Sequence, residues 1–491
     1  MNKIKRDTLA KNYIFQVIYQ AIMFVIPLVI SPYLTRTLGD TELGNYTYIN
    51  SIAYYFVVFA NLGIAKYGQR VIARSANNES ALRKAFWSLY FVHCCFSVLS
   101  FLLYFSFCIT FADPKLQTIY LVELLFVASA IFDVTWLFYG LENFRSVVLK
   151  NGVIKVIECL LIFSLIKNSN DLITYTFIVA GGIIVGQIVL FFSAIRIVRP
   201  TRFSKDDVVP HIKPLLIFTV AIVATTMYTV FDKTLLGIFF EKKNVAYYEY
   251  ANKIISIPRT FISVTGTIVY PRACMAIEQN CIEEQNKYLK ASTIVASFIG
   301  FGSLFGLLAI SKEFAVLYFG EAFFESGNIM KYLCVIPLVT GLCDIFRAQY
   351  LLPLGRDKEY TLCIIGNAVI NLAVSFILIH FIGVYGVVVG TIVSEVFGLL
   401  IQGFLCKKYL SFRTMLFEMF PFLIIGIIMY FALFLLKILV VNSEAFVLLS
   451  IAIGAVLYIA VSALYLFTFK REFVKDILTS VKRKKKETNF S

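Results

Sequence analysis

Residues 173–195, ITYTFIVAGGIIVGQIVLFFSAI, form an apolar run without Asp, Glu, Lys or Arg, and residues 196–205, RIVRPTRFSK, follow it with four basic side chains. A helix of about 20 apolar residues is long enough to cross the hydrocarbon core of a bilayer. Cytoplasmic loops of membrane proteins hold an excess of Lys and Arg. The stretch therefore predicts a transmembrane helix whose carboxyl end faces the cytoplasm.

Apolar runs of this kind recur along the whole chain. Hydrophobic residues make up 59% of the 491 residues and charged residues only 15%, which excludes an ordinary soluble globule. We predict an all-α integral membrane protein with 14 transmembrane helices, joined by gaps of at most about 20 residues. The predicted spans are residues 13–34, 43–65, 85–111, 118–139, 147–166, 173–195, 214–238, 247–270, 291–310, 329–353, 360–380, 385–405, 416–437 and 446–469.

The basic residues alternate between the two sides of the predicted membrane. Of the 45 Lys and Arg residues, 32 lie in every second gap, six lie in the other gaps and seven lie within spans. This asymmetry predicts that both termini are cytoplasmic. The net charge of +15 thus orients the chain, and we expect no nucleic-acid partner. The basic tail, residues 482–486, is expected either to contact anionic lipid headgroups or simply to fix the last helix.

The sequence shows no pattern typical of a metal site or of catalysis. The ten Cys and three His residues lack metal-ligand spacing, so we expect neither a metal site nor a disulfide framework. No nucleophile with its base and no phosphate-binding Gly-rich loop is present, so we expect no cofactor and no enzymatic activity. The first apolar run is expected to be a retained span, because it is too long for a signal peptide and contains Gln16 and Gln20.

Two segments about 200 residues apart share one pattern. Residues 35–39, TRTLG, precede residues 43–46, LGNY, and residues 232–237, DKTLLG, precede residues 244–248, NVAYY. The pattern predicts a parallel repeat of spans 1–6 and 7–12, and such repeats usually enclose a transport pathway. The predicted domains are an N-terminal lobe at 1–200, a C-terminal lobe at 201–410, two additional helices at 411–470 and a basic cytoplasmic tail at 471–491.

Six motifs occur in order between about residues 10 and 410. They are PYLTRTLG at 32–39, LGIAKYGQR at 62–70, DxxWLFYGLE at 133–142, DKxxLG at 232–237, YPR at 270–272 and QYLLPLG at 349–355. With these motifs the chain resembles bacterial polysaccharide flippases of the O-antigen (Wzx) type. That family belongs to the multidrug/oligosaccharidyl-lipid/polysaccharide exporter superfamily.

The resemblance implies a MATE-like fold and a place in the bacterial inner membrane. The implied function is to move an undecaprenyl-diphosphate-linked oligosaccharide from the cytoplasmic to the periplasmic leaflet, in O-antigen or other surface polysaccharide biosynthesis. The implied partners are this lipid-linked substrate, membrane lipids, and a polysaccharide polymerase and chain-length regulator; a monomer is expected. The working model is alternating access through a cationic cavity between the two lobes.

Charged residues inside spans are the first candidates for a binding site, because they usually face a cavity or a partner. Arg259 lies about halfway along the eighth span, after Pro258, which predicts a kinked helix. Its planar guanidinium suits a diphosphate, and the alternative is an ion pair that holds the lobes together. Asp232 and Lys253 lie at similar depth in one hairpin, where a buried ion pair is the favoured interpretation.

Arg36 and Lys233 lie at matching outward ends of the repeated segments. They either receive the diphosphate as it leaves or, as the favoured interpretation, extend to the headgroups. Asp133, near the cytoplasmic end of the fourth span, is a further candidate for ion coupling or ion pairing.

Two carboxylates, Glu158 and Glu395, lie near mid-membrane and are candidates for proton exchange, because burial raises a carboxylate's pKa. Lys155 precedes Glu158 by three residues, which favours an ion pair there. Glu395 has no partner nearby in the sequence, so it is the better functional candidate. Asp344 and Arg347 are also three residues apart; we expect them to pair, at a depth that would place them beside the entering headgroup.

Two polar stripes interrupt apolar helices at intervals of four residues. Asn12, Gln16 and Gln20 form one on the first span, and Asn367, Asn371 and Ser375 form the other on the eleventh. Each stripe is expected either to face water or sugar hydroxyls or to make hydrogen bonds between helices.

Two other functions remain as alternatives. A cation-coupled drug antiporter of the same superfamily usually has twelve spans and needs an acidic cavity, whereas the charges inside these spans are mixed. A membrane polysaccharide polymerase is expected to carry a large periplasmic loop. The longest outward gap here is residues 311–328, which makes this the less favoured alternative.

Overall fold

The computed structural model describes residues 25–471, which are mostly helical and contain no β-strand. The prediction of an all-α protein is confirmed for this part of the chain. Asn12, Gln16, Gln20 and the basic tail at 482–486 lie outside the described residues.

The first described helix, α1, includes residues 25–37. The others are α2 (Gly39–Asn61), α3 (Ile64–Ser75), α4 (Glu79–Thr110), α5 (Gln117–Val122), α6 (Leu124–Ser129), α7 (Thr135–Gly140), α8 (Phe144–Leu165), α9 (Leu172–Ile197), α10 (Lys205–Phe239), α11 (Lys243–Glu278), α12 (Ile282–Phe319), α13 (Phe324–Leu333), α14 (Ile336–Phe346), α15 (Asp357–Ile382), α16 (Val384–Cys406), α17 (Phe412–Leu439) and α18 (Ser443–Phe469). Short 3-10 turns lie at Ala130–Phe132, Ser169–Asp171 and Glu321–Phe323, and Arg347–Leu351 forms a π-helix.

Within the described residues, ten helical segments are long and apolar enough to cross a membrane, or up to eleven if the bent pair formed by α13 and α14 is one span. Helix α8 is not among them, although it covers the predicted fifth span. It carries Lys150, Lys155 and Glu158 within its 22 residues, which lowers its hydropathy. The figure of 14 transmembrane helices therefore stays a prediction.

Two predicted spans of the first half are broken where the backbone leaves the helical region. Between α2 and α3, Leu62 and Gly63 have φ angles of 43° and 66°. This left-handed conformation suits Gly63 but is unusual for a leucine.

Between α6 and α7, Asp133 is extended, and its Oδ1 accepts a hydrogen bond of 2.9 Å from the backbone N–H of Thr135. This hydrogen bond links the Asp133 carboxylate to the first residue of α7.

The chain divides by its contacts into two compact units, residues 1–247 and 248–491. In the first unit, α10 packs along α2, where the Thr234 hydroxyl lies 3.1 Å from that of Tyr55. In the second unit, α17 and α18 pack on α12, and the Tyr458 hydroxyl donates a 2.8 Å hydrogen bond to the carbonyl of Phe298. The predicted parallel repeat and the predicted domain boundaries stay predictions.

The loop between α10 and α11 is docked on α2 within the first unit. The Lys242 ammonium donates to the carbonyl of Gly237 and lies 3.5 Å from the centre of the Tyr48 ring, a cation–π contact. Burial lowers the pKa of Lys242, and the charge of Asp113 opposes this shift. The Tyr247 hydroxyl donates a hydrogen bond to Asp40. These contacts fix the loop against the start of α2.

Candidate functional site

Four charged side chains of the second unit form two ion pairs. Arg259 of α11 lies 3.6 Å, between Nη2 and Oε1, from Glu395 of α16. Arg347 of the π-helix lies 2.7 Å, between Nη2 and Oδ1, from Asp344 of α14. Cys343 lies near charged groups of both pairs, which brings the two pairs into one region. We refer to these four charged side chains as the charge cluster.

The two pairs differ in geometry and in exposure. Glu395 is 6% exposed and Arg259 44% exposed, so the carboxylate is covered and the guanidinium is open. In the shorter pair, the two side chains are more equally exposed, Arg347 at 31% and Asp344 at 22%. A separation of 3.6 Å is longer than a normal hydrogen bond. The Arg259–Glu395 contact at 3.6 Å is therefore an electrostatic pairing.

The backbone around Arg347 forms a π-helix that packs against α11 and α12. The π-helix makes a wider turn than an α-helix, and such turns are frequent at functional sites. A Cβ atom at Gly266 would lie 3.9 Å from Nη2 of Arg347, so the glycine leaves the guanidinium in ordinary contact with α11. Behind it, Gln349 donates a 2.6 Å hydrogen bond from Nε2 to the Ser292 hydroxyl. This bond ties the π-helix to α12.

A family of polysaccharide biosynthesis proteins matches residues 9–277, which is more than half of the chain.

The chain belongs to this family.

Among curated relatives, a protein of Shigella dysenteriae named as an O-antigen transporter is 22% identical over 79% of this chain and 97% of its own length. A second O-antigen transporter, from Escherichia coli strain K12, is 20% identical over 75% of this chain and 89% of its own length. The resemblance to polysaccharide flippases that the motifs indicate is confirmed by this family membership.

Solved structures show the same fold. The lipid II flippase MurJ in an inward closed conformation superposes with a TM-score of 0.71 at 16% identity, covering 93% of this chain and 99% of that one. An inward-facing multidrug resistance transporter of the MATE family gives 0.59 at 14% identity, covering 80% and 95%. The chain is thus a multi-pass membrane protein of polysaccharide biosynthesis with a MurJ- and MATE-like fold.

The residues matched by the family model include one member of the charge cluster and end before the other three. Arg259 lies within residues 9–277, whereas Asp344, Arg347 and Glu395 lie beyond them. Arg259 is therefore the member of the cluster that lies in the part of the chain shared with the family model.

Lys253, Arg36 and Lys233 are the other predicted cationic residues. Lys253 of α11 has its ammonium 4.0 Å from the centre of the Tyr250 ring. Asp232 is buried in the first unit and Lys253 belongs to the second, so their pairing stays a prediction. Arg36 is exposed at the end of α1, and Lys233 is half-buried on α10.

Glu158 is held by its own helix. Its Oε2 accepts a 2.5 Å hydrogen bond from the Lys155 ammonium, as the spacing of three residues predicts. The carboxylate also fills the space beside Gly182 of α9, where any Cβ atom would collide with it. This arrangement favours a structural role for Glu158.

The polar stripe of α15 faces the neighbouring helix α16. Asn371 and Ser375 are fully buried, and Gly390 and Gly398 of α16 lie directly against Ser375 and Asn367. Within the described part of the chain, no hydrogen-bond partner is present for the Asn371 amide. The stripe is thus covered by α16 rather than open to a sugar, although its function stays untested.

The sequence-based selection of site residues omitted Glu123. This residue lies between α5 and α6, is 1% exposed and bonds with Asn50 of α2. The signal was present, because Glu123 interrupts the apolar stretch 119–132, IYLVELLFVASAIF. It was overlooked because no second charge or polar stripe accompanies it in the sequence.

Proposed function

We propose that the chain flips a diphosphate-linked, lipid-anchored oligosaccharide from the cytoplasmic to the outer leaflet of the bacterial inner membrane, for O-antigen or other surface polysaccharide biosynthesis. Family membership and the names of its relatives support this proposal. The observation that carries it is the pair of partly exposed guanidinium groups, Arg259 and Arg347, in one region of a membrane-embedded unit.

The chemistry of guanidinium groups favours a diphosphate cargo. Each guanidinium presents five N–H donors in a plane, which matches two phosphate oxygens at once. In the absence of cargo, Glu395 and Asp344 neutralise the two arginines and so lower the cost of burying them. We infer that the diphosphate displaces Glu395 from Arg259 first, because that pair is the longer of the two.

We further propose that the chain works by alternating access, with both termini cytoplasmic. The membrane potential, negative inside, favours outward movement of an anion by about 2.3 kcal/mol per charge per 100 mV. Arg36, Lys233 and Lys253 are proposed as further contacts of the cargo. A polysaccharide polymerase and a chain-length regulator are proposed as partners, and the chain is proposed to act as a monomer.

Deletion of the gene tests this function. Lipid-linked repeat units should accumulate on the cytoplasmic leaflet, where a periplasmic glycan-modifying enzyme cannot reach them, and surface polysaccharide should disappear. Re-expression of the full chain should reverse both effects. Unpolymerised units on the outer surface would instead indicate a polymerase. Unchanged glycan with a new sensitivity to cationic drugs would indicate the antiporter.

Reporter fusions test the orientation. Fusions after residues 75, 205 and 485 should report a cytoplasmic location, and a fusion after residue 320 should report a periplasmic one, because basic residues concentrate in the first three regions. Paired alkaline phosphatase and fluorescent-protein fusions at each site give opposite readouts. An inverted result at any of the four sites overturns the predicted topology.

A further inference from the structure

Glu123 is a buried carboxylate that lacks a basic partner in the described part of the chain. It is 1% exposed, at the junction of α5 and α6. Its only recorded side-chain contact is with Asn50 of α2, whose Nδ2 lies 3.3 Å from Oε1 and 3.4 Å from Oε2. Both distances are long for a hydrogen bond, so one weak, shared donor serves both oxygens.

Two other buried carboxylates in the described part of the chain have a cation beside them. Glu418 lies 2.6 Å from the Lys470 ammonium, and Glu158 lies 2.5 Å from that of Lys155. An ionised carboxylate without such a partner costs several kcal/mol to bury, and the group usually becomes neutral instead. The surroundings of Glu123 therefore favour the protonated carboxyl.

On the helices packed around Glu123, no described Lys, Arg or His side chain is in contact with the carboxyl. On α4, Tyr104 and Cys108 direct their hydrogens to the backbone carbonyl of Tyr120, at 3.2 and 3.6 Å. On α9, the nearby titratable group is Tyr175, which packs edge-on against Tyr46. On α2, Tyr54 stacks on Phe126 of α6. Asn50 is thus the one polar group on these helices that is recorded in contact with the carboxyl.

An amide is the natural partner of a neutral carboxyl. The Asn50 amide has two N–H donors and a carbonyl acceptor, and a protonated carboxyl has one O–H donor and a carbonyl acceptor. An amide and a protonated carboxyl can therefore form two reciprocal hydrogen bonds. A carboxylate offers acceptors alone and leaves the amide oxygen without a donor. In the structure, Nδ2 of Asn50 is shared by both oxygens of Glu123, and protonation of one oxygen would supply a donor that the amide oxygen can accept.

We propose that Glu123 is a proton-binding site whose protonation is coupled to movement of α2. The step is the addition of one proton to one carboxylate oxygen, with no other bond changed. The next residue after Asn50, Ser51, lies 3.4 Å from Thr234 of α10, so the same turn of α2 contacts α10 on its other side. In the proposed step, movement of α2 relative to α10 separates Asn50 from Glu123 and exposes the carboxyl, which then loses its proton. The role in transport rests on the proposed function, whereas the proton site does not.

Infrared spectroscopy of the purified full chain in lipid nanodiscs tests the proton site directly. At neutral pH, the C=O stretching band of a protonated carboxyl should be present in the wild type and absent in Glu123→Gln. The matched control is Glu418→Gln, which removes a buried carboxylate that has a Lys470 partner and should leave the band unchanged. A band of equal intensity in the wild type and Glu123→Gln overturns the proposal.

Proteoliposomes test the coupling. The probe is the lipid-linked glycan extracted from the deletion strain, with an imposed pH gradient across the vesicle. Occupancy of one proton site changes by up to about tenfold per pH unit, so wild-type flipping should respond on this scale. The glutamine of Glu123→Gln can still form hydrogen bonds with the Asn50 amide, so this variant should fold normally. It cannot bind or release the proton, so its flipping rate should not depend on the pH gradient.

A merely structural role for Glu123 would leave the gradient response of Glu123→Gln equal to that of the wild type, and this result overturns the coupling. Wild-type flipping that ignores the gradient also overturns it. If the wild type flips no glycan at all, the proposed function fails, and the infrared band still decides whether Glu123 holds a proton.

Discussion

Arg259→Ala is expected to abolish surface polysaccharide in a strain that depends on this chain. The guanidinium is 44% exposed, and its contact with Glu395 is the longer of the two ion pairs in the charge cluster, so we expect it to take a diphosphate. Loss of one partner of a charge-assisted contact costs about 2–5 kcal/mol, which corresponds to at least about 30-fold in flipping rate. Surface polysaccharide, measured by gel electrophoresis and antibody binding, reports the effect.

Two further variants distinguish bidentate phosphate binding by Arg259 from a simple effect of positive charge. Arg259→Lys should recover only a small part of the activity, because an ammonium cannot contact two phosphate oxygens in a plane. The matched control is Lys437→Ala in α17, which removes a basic side chain paired with Glu313 at 2.6 Å in the same unit. This control should keep normal polysaccharide at equal protein abundance. Normal polysaccharide in Arg259→Ala removes Arg259 from the site.

Glu395→Gln distinguishes displacement of Glu395 from a fixed ion pair. If the diphosphate displaces Glu395, the neutral amide competes less for Arg259 and the cargo should bind more tightly, with slower release. If Glu395 only holds Arg259 in position, both binding and release should weaken together. Equilibrium binding of the extracted lipid-linked glycan to Glu395→Gln and wild type separates these outcomes.

Local geometry made part of the site predictable. In a helix, residues three apart lie on one face, so the pairs Lys155–Glu158 and Asp344–Arg347 followed from spacing alone. The contact between Arg259 and Glu395 joins α11 to α16, and no spacing rule connects residues on separate helices. A long-range pair of this kind needs the tertiary structure.

Helix breaks were also beyond local rules. Pro258 predicts a kink, and the helix that contains it, α11, is continuous from Lys243 to Glu278. The break between α2 and α3 falls instead at Leu62, which has a φ of 43° and belongs to a residue type that rarely adopts this conformation. Membrane helices accommodate proline where neighbouring groups satisfy the freed carbonyl. Hydropathy thus predicted where apolar helices run, while tertiary packing decides where they bend.

Close packing of α16 on α15 depends on a glycine. Gly386 and Gly390 have the four-residue spacing that predicts close helix packing. In the structure, a Cβ atom at Gly386 would lie 2.5 Å from the backbone nitrogen of Ile379 and 2.7 Å from the carbonyl oxygen of Leu378, both on α15. Backbone atoms cannot rotate away as a side chain can, so α15 and α16 would have to separate.

Gly386→Ala is therefore expected to destabilise the fold by about 1–3 kcal/mol, the usual cost of overpacking. The matched control is Gly306→Ala in α12, where the nearest atom to a new Cβ is the flexible methyl of Met429 at 3.9 Å. This control should be neutral or slightly stabilising, because alanine favours helix over glycine. Thermal unfolding in detergent, followed by fluorescence-detected size exclusion, measures both. Equal midpoints for the two variants would show that α15 and α16 do not pack as closely as the structure places them.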